Sequence, residues 1–432
     1  GEGWLVVYAA SAAEAQRAGS SGNKFLGMRA TVFDRLRGDL PSGHVALLQA
    51  GAVESWNALL LAVRERVVQA LEERVAGLAD EMRRMDANRM LPGWNFCRFF
   101  VLKEGVVRLY RLMGLHDEAL AQYDELEAVF FQLLGAQRLS WFSAFGGAAA
   151  GDDYSDVLDT GKRDYARQLA ATTISLFDLR TYLFGRQAQL LVALGQHAAL
   201  AERAQRFVAS FGRSMREPGT GLSGAFVAAW TYSTCMNVAE ILEGAEDGAD
   251  ARALAAAKAG FLAGARQQLD ELGELWQRLP PSDNTGQPRM PSTDLISISN
   301  PVLAEALASD ERFDQIYVRT CEQAAQYYGE SGRRRFARAM QGDVAQLLAR
   351  RGQWDGAARL LRTLVPGDDG DDGDGAALSA MDVLALERLA ECERRLGNAR
   401  QSLECAVRLI AQRSDRHEES AAMLGELCGA LR

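Results

Sequence analysis

The sequence predicts a mainly α fold, with antiparallel helix pairs stacked as an α-solenoid behind the tail of a small α/β domain. Three observations carry this. Tyr110–Phe130 reads YRLMGLHDEALAQYDELEAVF: Gly114 closes one helical run, and Ala119, five residues on, sits in the next. The same turn recurs as Gly195–Leu200, Gly352–Ala357 and Gly397–Ser402, each time between amphipathic runs. From Trp94 onward no run reads as a strand. Glycine tolerates the positive φ that ends a helix, and a small residue one turn later lets two antiparallel helices approach closely. Repetition of this unit at irregular spacing marks a TPR-like solenoid, an architecture that binds and positions other proteins.

Taken in order, WLVVYAA (Trp4–Ala10) and VALLQA (Val45–Ala50) are short apolar runs that read as buried strands. Between them, FLGMRATVFDRLRGDL is helical in its second half. Residues 1–52 are thus expected to be the C-terminal part of an N-terminal α/β domain. The chain opens at Gly1 in mid-pattern, so an early portion of a longer protein is expected. A long helix follows over Glu54–Met85, dense in Arg and Glu at i, i+4 spacing. Further helical runs are expected over 94–113, 117–134, 163–194, 197–212, 222–243, 250–278, 300–309, 312–330, 333–351, 354–364, 379–396, 398–412 and 414–431. Three segments interrupt them. AFGGAAAGDD (Ala144–Asp153) reads as a flexible loop. Residues 280–299, with Pro280, Pro281, Pro288 and Pro291, form a linker in which helices cannot continue. PGDDGDDGDG opens a disordered acidic loop at 366–377. The expected division is therefore 1–52, a first solenoid segment over 53–279, the linker, and a second segment over 300–432.

Composition is ordinary, 48% hydrophobic and 24% charged, and the net charge of -9 is spread through the helices. Nucleic-acid binding needs a clustered basic face, which this distribution does not supply. No apolar stretch approaches the roughly 20 residues that span a bilayer. Cys97, Cys235, Cys321, Cys392, Cys405 and Cys428 lie far apart with no C-x-x-C pair, and read as reduced, buried thiols of a cytosolic protein. His44, His116, His197 and His417 stand alone, without zinc-ligand spacing. The aspartates after Pro366 fit no register of an EF-hand loop, because Gly370 or Gly373 falls where a carboxylate is needed. No metal and no cofactor are expected. The aromatic sets Phe96, Phe99, Phe100 and Tyr182, Phe184 sit at helical spacing and read as core. Arg333, Arg334 and Arg335 form the densest basic cluster, a candidate grip for an acidic partner or a phosphoinositide headgroup. The plainer reading, preferred here, is a helix start whose arginines pair with Glu330 and Asp343 or stay hydrated. Gly114, Ala119, Gly195, Gly352, Ala357 and Gly397 are the structural turn positions.

Several segments go beyond generic helix-pair patterning: VFDRLRGDL (Val32–Leu40), Phe96–Phe130, SLFDLRTYLFGRQAQLLVALG (Ser175–Gly195), AWTYSTCMNVAEIL (Ala229–Leu242) and Phe313–Leu361. YDELEAVF and LFDLRTYLFGRQ are the most distinctive. With these the chain resembles the large TRAPP II-specific subunit family, the subunit 10 or 130-kDa type, of the trafficking protein particle complexes. The resemblance covers nearly the whole chain and implies an early portion of a longer family member. It carries over no catalytic residue. It implies a non-catalytic scaffold at the Golgi and trans-Golgi network, cytoplasmic and peripheral. Small longin-like core or adaptor subunits and the second large subunit would be its partners. In such complexes the small subunits catalyse guanine-nucleotide exchange on Rab GTPases, and the large ones steer it toward Rab11-type GTPases. Read from residues alone, a generic TPR-like interaction module stays open as an alternative. A helical enzyme with a groove site is a weaker one.

Overall fold

The computed structural model describes residues 3–11, 32–49, 51–89, 91, 93–135, 142, 145–147, 149–154, 156–245, 251–279, 298–365 and 379–412. The fold is mainly α, the described residues being 74% helical, with a two-stranded sheet near the N-terminus. The chain divides into two compact units, Gly1–Trp141 with Ala166–Thr173, and Phe142–Tyr165 with Ile174–Arg432. The linker expected at 280–299 falls outside the described residues up to 297. The acidic loop at 366–377, the helix expected over 414–431, His417 and Cys428 lie outside them as well.

In the first unit β1 (Val6–Ala10) and β2 (Val45–Gln49) pair in parallel, from Val6 opposite Val45 to Ala10 opposite Gln49. Parallel strands need a crossover, and α1 (Val32–Asp39) lies within it and packs on β2. The end of β2 is tied to the next helix by Ser55. Its Oγ accepts from Gln49 N at 2.7 Å and donates to Leu47 O at 3.2 Å. That helix, α2 (Val53–Ala87), has 35 residues, about 52 Å at the usual rise. It packs on β2 and on α3, yet none of its residues is fully buried.

α3 (Phe96–Leu112) starts where the Asn95 side chain accepts from Cys97 N (2.8 Å) and Arg98 N (3.3 Å), satisfying two orphan amides. Phe96, Phe99, Phe100, Lys103, Val106 and Val107 form its buried face. This is the i, i+3, i+4, i+7 spacing of an amphipathic helix. α4 (His116–Gly135) packs back on α3, with Ala119, Tyr123, Leu126 and Phe130 buried. Phe96 meets Phe130 at 6.1 Å, and Phe100 meets Tyr123 at 6.4 Å. Lys103, 5% exposed, is held by Gln122 Oε1 at 2.8 Å and by Glu125, so this buried ammonium is paired.

The single helical run expected over 163–194 is two helices, α5 (Tyr165–Ala171) and α6 (Leu176–Ala193). Thr172 takes φ 58°, and Thr173 N bonds back to Gln168 O at 2.9 Å, closing α5. The Thr-Thr-Ile run loses side-chain freedom in a helix. Ser175 is spent as the cap of α6 instead, its Oγ accepting from Asp178 N at 3.0 Å.

The second unit continues with α7 (His197–Met215), α8 (Gly224–Glu243), α9 (Ala251–Leu275), α10 (Pro301–Ala306) and α11 (Asp310–Glu330). After these come α12 (Arg334–Arg350), α13 (Trp354–Leu364), α14 (Ala380–Arg395) and α15 (Ala399–Gln412). Nearly all successive helices pack on one another, α9 reaching past short α10 to α11. An aromatic core joins α6, α7 and α8. Phe184 stacks on Phe207 at 4.1 Å, and Trp230 stands edge-on to Phe211 at 5.3 Å. A second core joins α12 to α15 through Ala345, Ala357, Leu361, Leu386, Leu389 and Leu409.

Candidate interaction surfaces

The turn glycines define a common geometry. Gly114, Gly195, Gly352 and Gly397 have φ between 68° and 77°. After each, the next amide bonds to the carbonyl five residues back: Leu115 to Tyr110, Gln196 to Leu191, Gln353 to Leu348, and Asn398 to Glu393, all at 2.9 Å. The glycine amide itself bonds three residues back, which completes a Schellman closure. Ala119, Leu200 and Ala357 are fully buried and Ser402 nearly so. A fifth copy escaped the sequence reading. Gly332 has φ 79°, Arg333 N bonds to Tyr328 O at 2.8 Å, and Ala337 N bonds to Arg333 O at 3.2 Å. The spacing from Gly332 to Ala337 was the available signal, masked by the Arg-Arg-Arg-Phe run between them.

This fifth turn is where the arginine triplet stands, and it differs from the others. Arg333, Arg334, Arg335 and Phe336 are all exposed, Phe336 at 56%. The expected pairing with Glu330 and Asp343 is not made. Glu330 accepts from Gln326 at 2.9 Å, and Asp343 faces Arg266 at 3.3 Å. The three guanidinium groups make no hydrogen bond or ion pair to any described residue. The Phe336 ring stacks on buried Tyr328 at 5.3 Å and 28°. The helices after two of the sister turns carry first-turn acids, Asp117 and Glu118 on α4 and Asp355 on α13. α12, like α7 and α15, has none, and it alone of these starts on three arginines.

A groove crossed by charged side chains runs between α9, α11, α12 and α14, with a largely apolar hollow of about 280 Å³ and a polar one of about 170 Å³ sharing Arg266 and Asp343. Arg266 bonds to Asp270 at 2.6 Å, and Tyr317 Oη donates to Asp270 at 3.0 Å. Burial pushes the Asp270 and Asp343 carboxyls above the usual carboxylate range, against the pull of Arg266. Arg338 closes the far end of the groove, bonding Asp382 at 2.6 Å and the carbonyl of Leu364.

The loop read as flexible at 144–153 is anchored at its far end, because its carboxylates are buried. Asp152 accepts from Arg163 at 2.7 Å and Lys162 at 3.1 Å, and Asp153 accepts from Ser299 N at 2.7 Å. Phe96, Phe99, Phe100, Tyr182 and Phe184 are buried, as a core assignment requires. Five thiols are buried too. Burial pushes Cys97 and Cys392 up to about 11 and Cys235 to about 12, with Cys321 and Cys405 moved the same way. In the first unit Val53, Trp56, Leu60, Val63 and Val67 line one side of α2 and are exposed. Among the described residues no group of three or more His, Cys, Asp or Glu could hold a metal ion, and no helix is long and apolar enough to cross a membrane.

Comparison with known families places these elements. Residues 2–89 match the model described as trafficking protein particle complex subunit 10-like, N-terminal. Residues 293–421 match the TRAPPC10/Trs130 NTS-like domain, which takes in the Gly332 turn and the second core. Two domains of one protein type thus match and together take in half of the chain. The chain belongs to the TRAPPC10/Trs130 family.

Trafficking protein particle complex subunit 10 of Mus musculus is 27% identical over 385 residues, covering 84% of this chain and 30% of that protein. The II-specific subunit 130 homolog of Oryza sativa is 30% identical over 195 residues, 45% of this chain and 16% of its own length. The chain thus spans less than a third of these relatives. Its distinctive family segments are structural in part: YDELEAVF supplies buried Tyr123, Leu126 and Phe130 of α4. LFDLRTYLFGRQ supplies Phe177, Leu179, Tyr182 and Phe184 of α6.

Proposed function

We propose that this chain is a non-catalytic scaffold segment of a TRAPP II-type complex, docking to small core subunits and steering Rab exchange toward Rab11-type GTPases. The observation that supports this most is the pairing of the two family matches with an array of helix pairs whose turns repeat one geometry. Stacked helix pairs present long faces to partners, and each pair needs its neighbour to complete a core. In this reading the exchange chemistry belongs to other subunits, and the chain works peripherally on the cytoplasmic side of the Golgi and trans-Golgi network. The second large subunit would be a further neighbour.

Release of a fluorescent GDP analogue from a Rab11-type GTPase tests the division of labour. The chain alone is expected to leave release at its uncatalysed rate. Added to the small core subunits, it should raise their rate on the Rab11-type GTPase above that of the core alone. Acceleration by the isolated chain would contradict the non-catalytic role, and an unchanged core rate would contradict the steering role.

A further inference from the structure

We infer that the Gly332 turn is a docking surface for an acidic, extended segment of a partner protein, gripped by Arg333, Arg334 and Arg335 and seated on Phe336. Four sister turns point their fifth residue inward and expose no large ring between glycine and that residue except half-buried Trp354. The Gly332 turn instead keeps Ala337 half-buried and holds Phe336 open, its ring fixed in place by Tyr328. Three arginines at a helix start oppose the helix dipole, which favours anions there. No described acid offsets them, because Glu330 and Asp343 are engaged elsewhere. The result is a compact positive patch on a chain of net charge -9, beside an exposed aromatic face.

Guanidinium groups pair bidentately with carboxylates, and the ring offers an apolar seat between them. A segment with glutamates or aspartates around one apolar residue matches both features. A lipid headgroup would meet the arginines but leave the ring's role unexplained. Three cations also fall short of the about four to eight that hold a membrane surface. This surface requires no assumption about exchange or complex assembly.

The test is fluorescence anisotropy with the full 432-residue chain and a fluorescein-labelled peptide of glutamates flanking a central leucine. Saturable binding is expected near 50 mM salt, weakening by about tenfold near 300 mM as the charges are screened. The double variant Arg334→Glu, Arg335→Glu should lose about tenfold or more, and Phe336→Ser about threefold. If the charge-reversed variant loses helical signal, Arg334→Gln with Arg335→Gln gives the same readout without reversing charge. Equal binding by parent and folded double variant overturns the proposal. So does preference for vesicles containing a phosphoinositide over the peptide. A variant lacking Gly367–Gly375 is expected to bind like the parent. Binding about tenfold tighter would mean that the chain's own aspartates occupy the site, and would also overturn it.

Discussion

At the residue scale, burial separates positions that look alike in composition. Ala119 is fully buried on α4, which packs on α3, and Arg334 is exposed and unpaired among the described residues. Ala119→Arg should therefore destabilise the first unit by about 1–3 kcal/mol from overpacking, with an unpaired buried charge adding to it. Arg334→Ala should leave stability within about 0.5 kcal/mol, since it removes an exposed cation from a helix start. Chemical denaturation of both variants checks this, and an Ala119→Arg chain as stable as the parent would refute the packing. The buried positions were legible because apolar spacing reports a helix face directly. The pairings were not. Arg266 with Asp270 is an i, i+4 pair within α9, but its second partner Asp343 comes from α12, and Asp152 meets Arg163 across a turn-rich stretch. Nothing local in the sequence encodes those last two contacts.

At the element scale the turn glycines and helical glycines make opposite demands. Gly352 sits at φ 76° and nothing lies within 4 Å of a Cβ built there, so Gly352→Ala meets backbone strain alone. It should cost about 1–2 kcal/mol. Gly342 lies inside α12, also with open space around a built Cβ and without positive φ. Gly342→Ala should stabilise by about 0.5–1 kcal/mol, because alanine loses less backbone entropy on folding. Urea titration of the two variants should move the midpoints in opposite directions; a shared sign would contradict the turn geometry. Among the described residues, helix positions after Trp94 follow the sequence reading closely except at 172–175. There the periodicity of 163–194 continued through a Thr-Thr-Ile run, and the capping pair Ser175 and Asp178 was the overlooked signal. The Gly332 turn was overlooked for a related reason. Its charged residues hid a spacing identical to that of its four sisters.

At the scale of the whole molecule, two family domains and an array of helix pairs are what support the proposed scaffold role. The mainly α architecture was legible because helix-pair turns repeat in the sequence, and the family because its segments extend along most of the chain. The groove around Arg266 and Asp343 became visible only when distant helices were brought together, whereas the Arg333–Arg335 cluster was legible in the sequence and only the exposed Phe336 seat beside it was not. The most direct measurement of the central claim is size-exclusion chromatography with light scattering on the chain mixed with purified small TRAPP core subunits. The account predicts a stable complex whose mass is the sum of its parts, retained by the Arg334→Ala variant. Separate elution of a folded chain and an intact core at micromolar concentrations would contradict it.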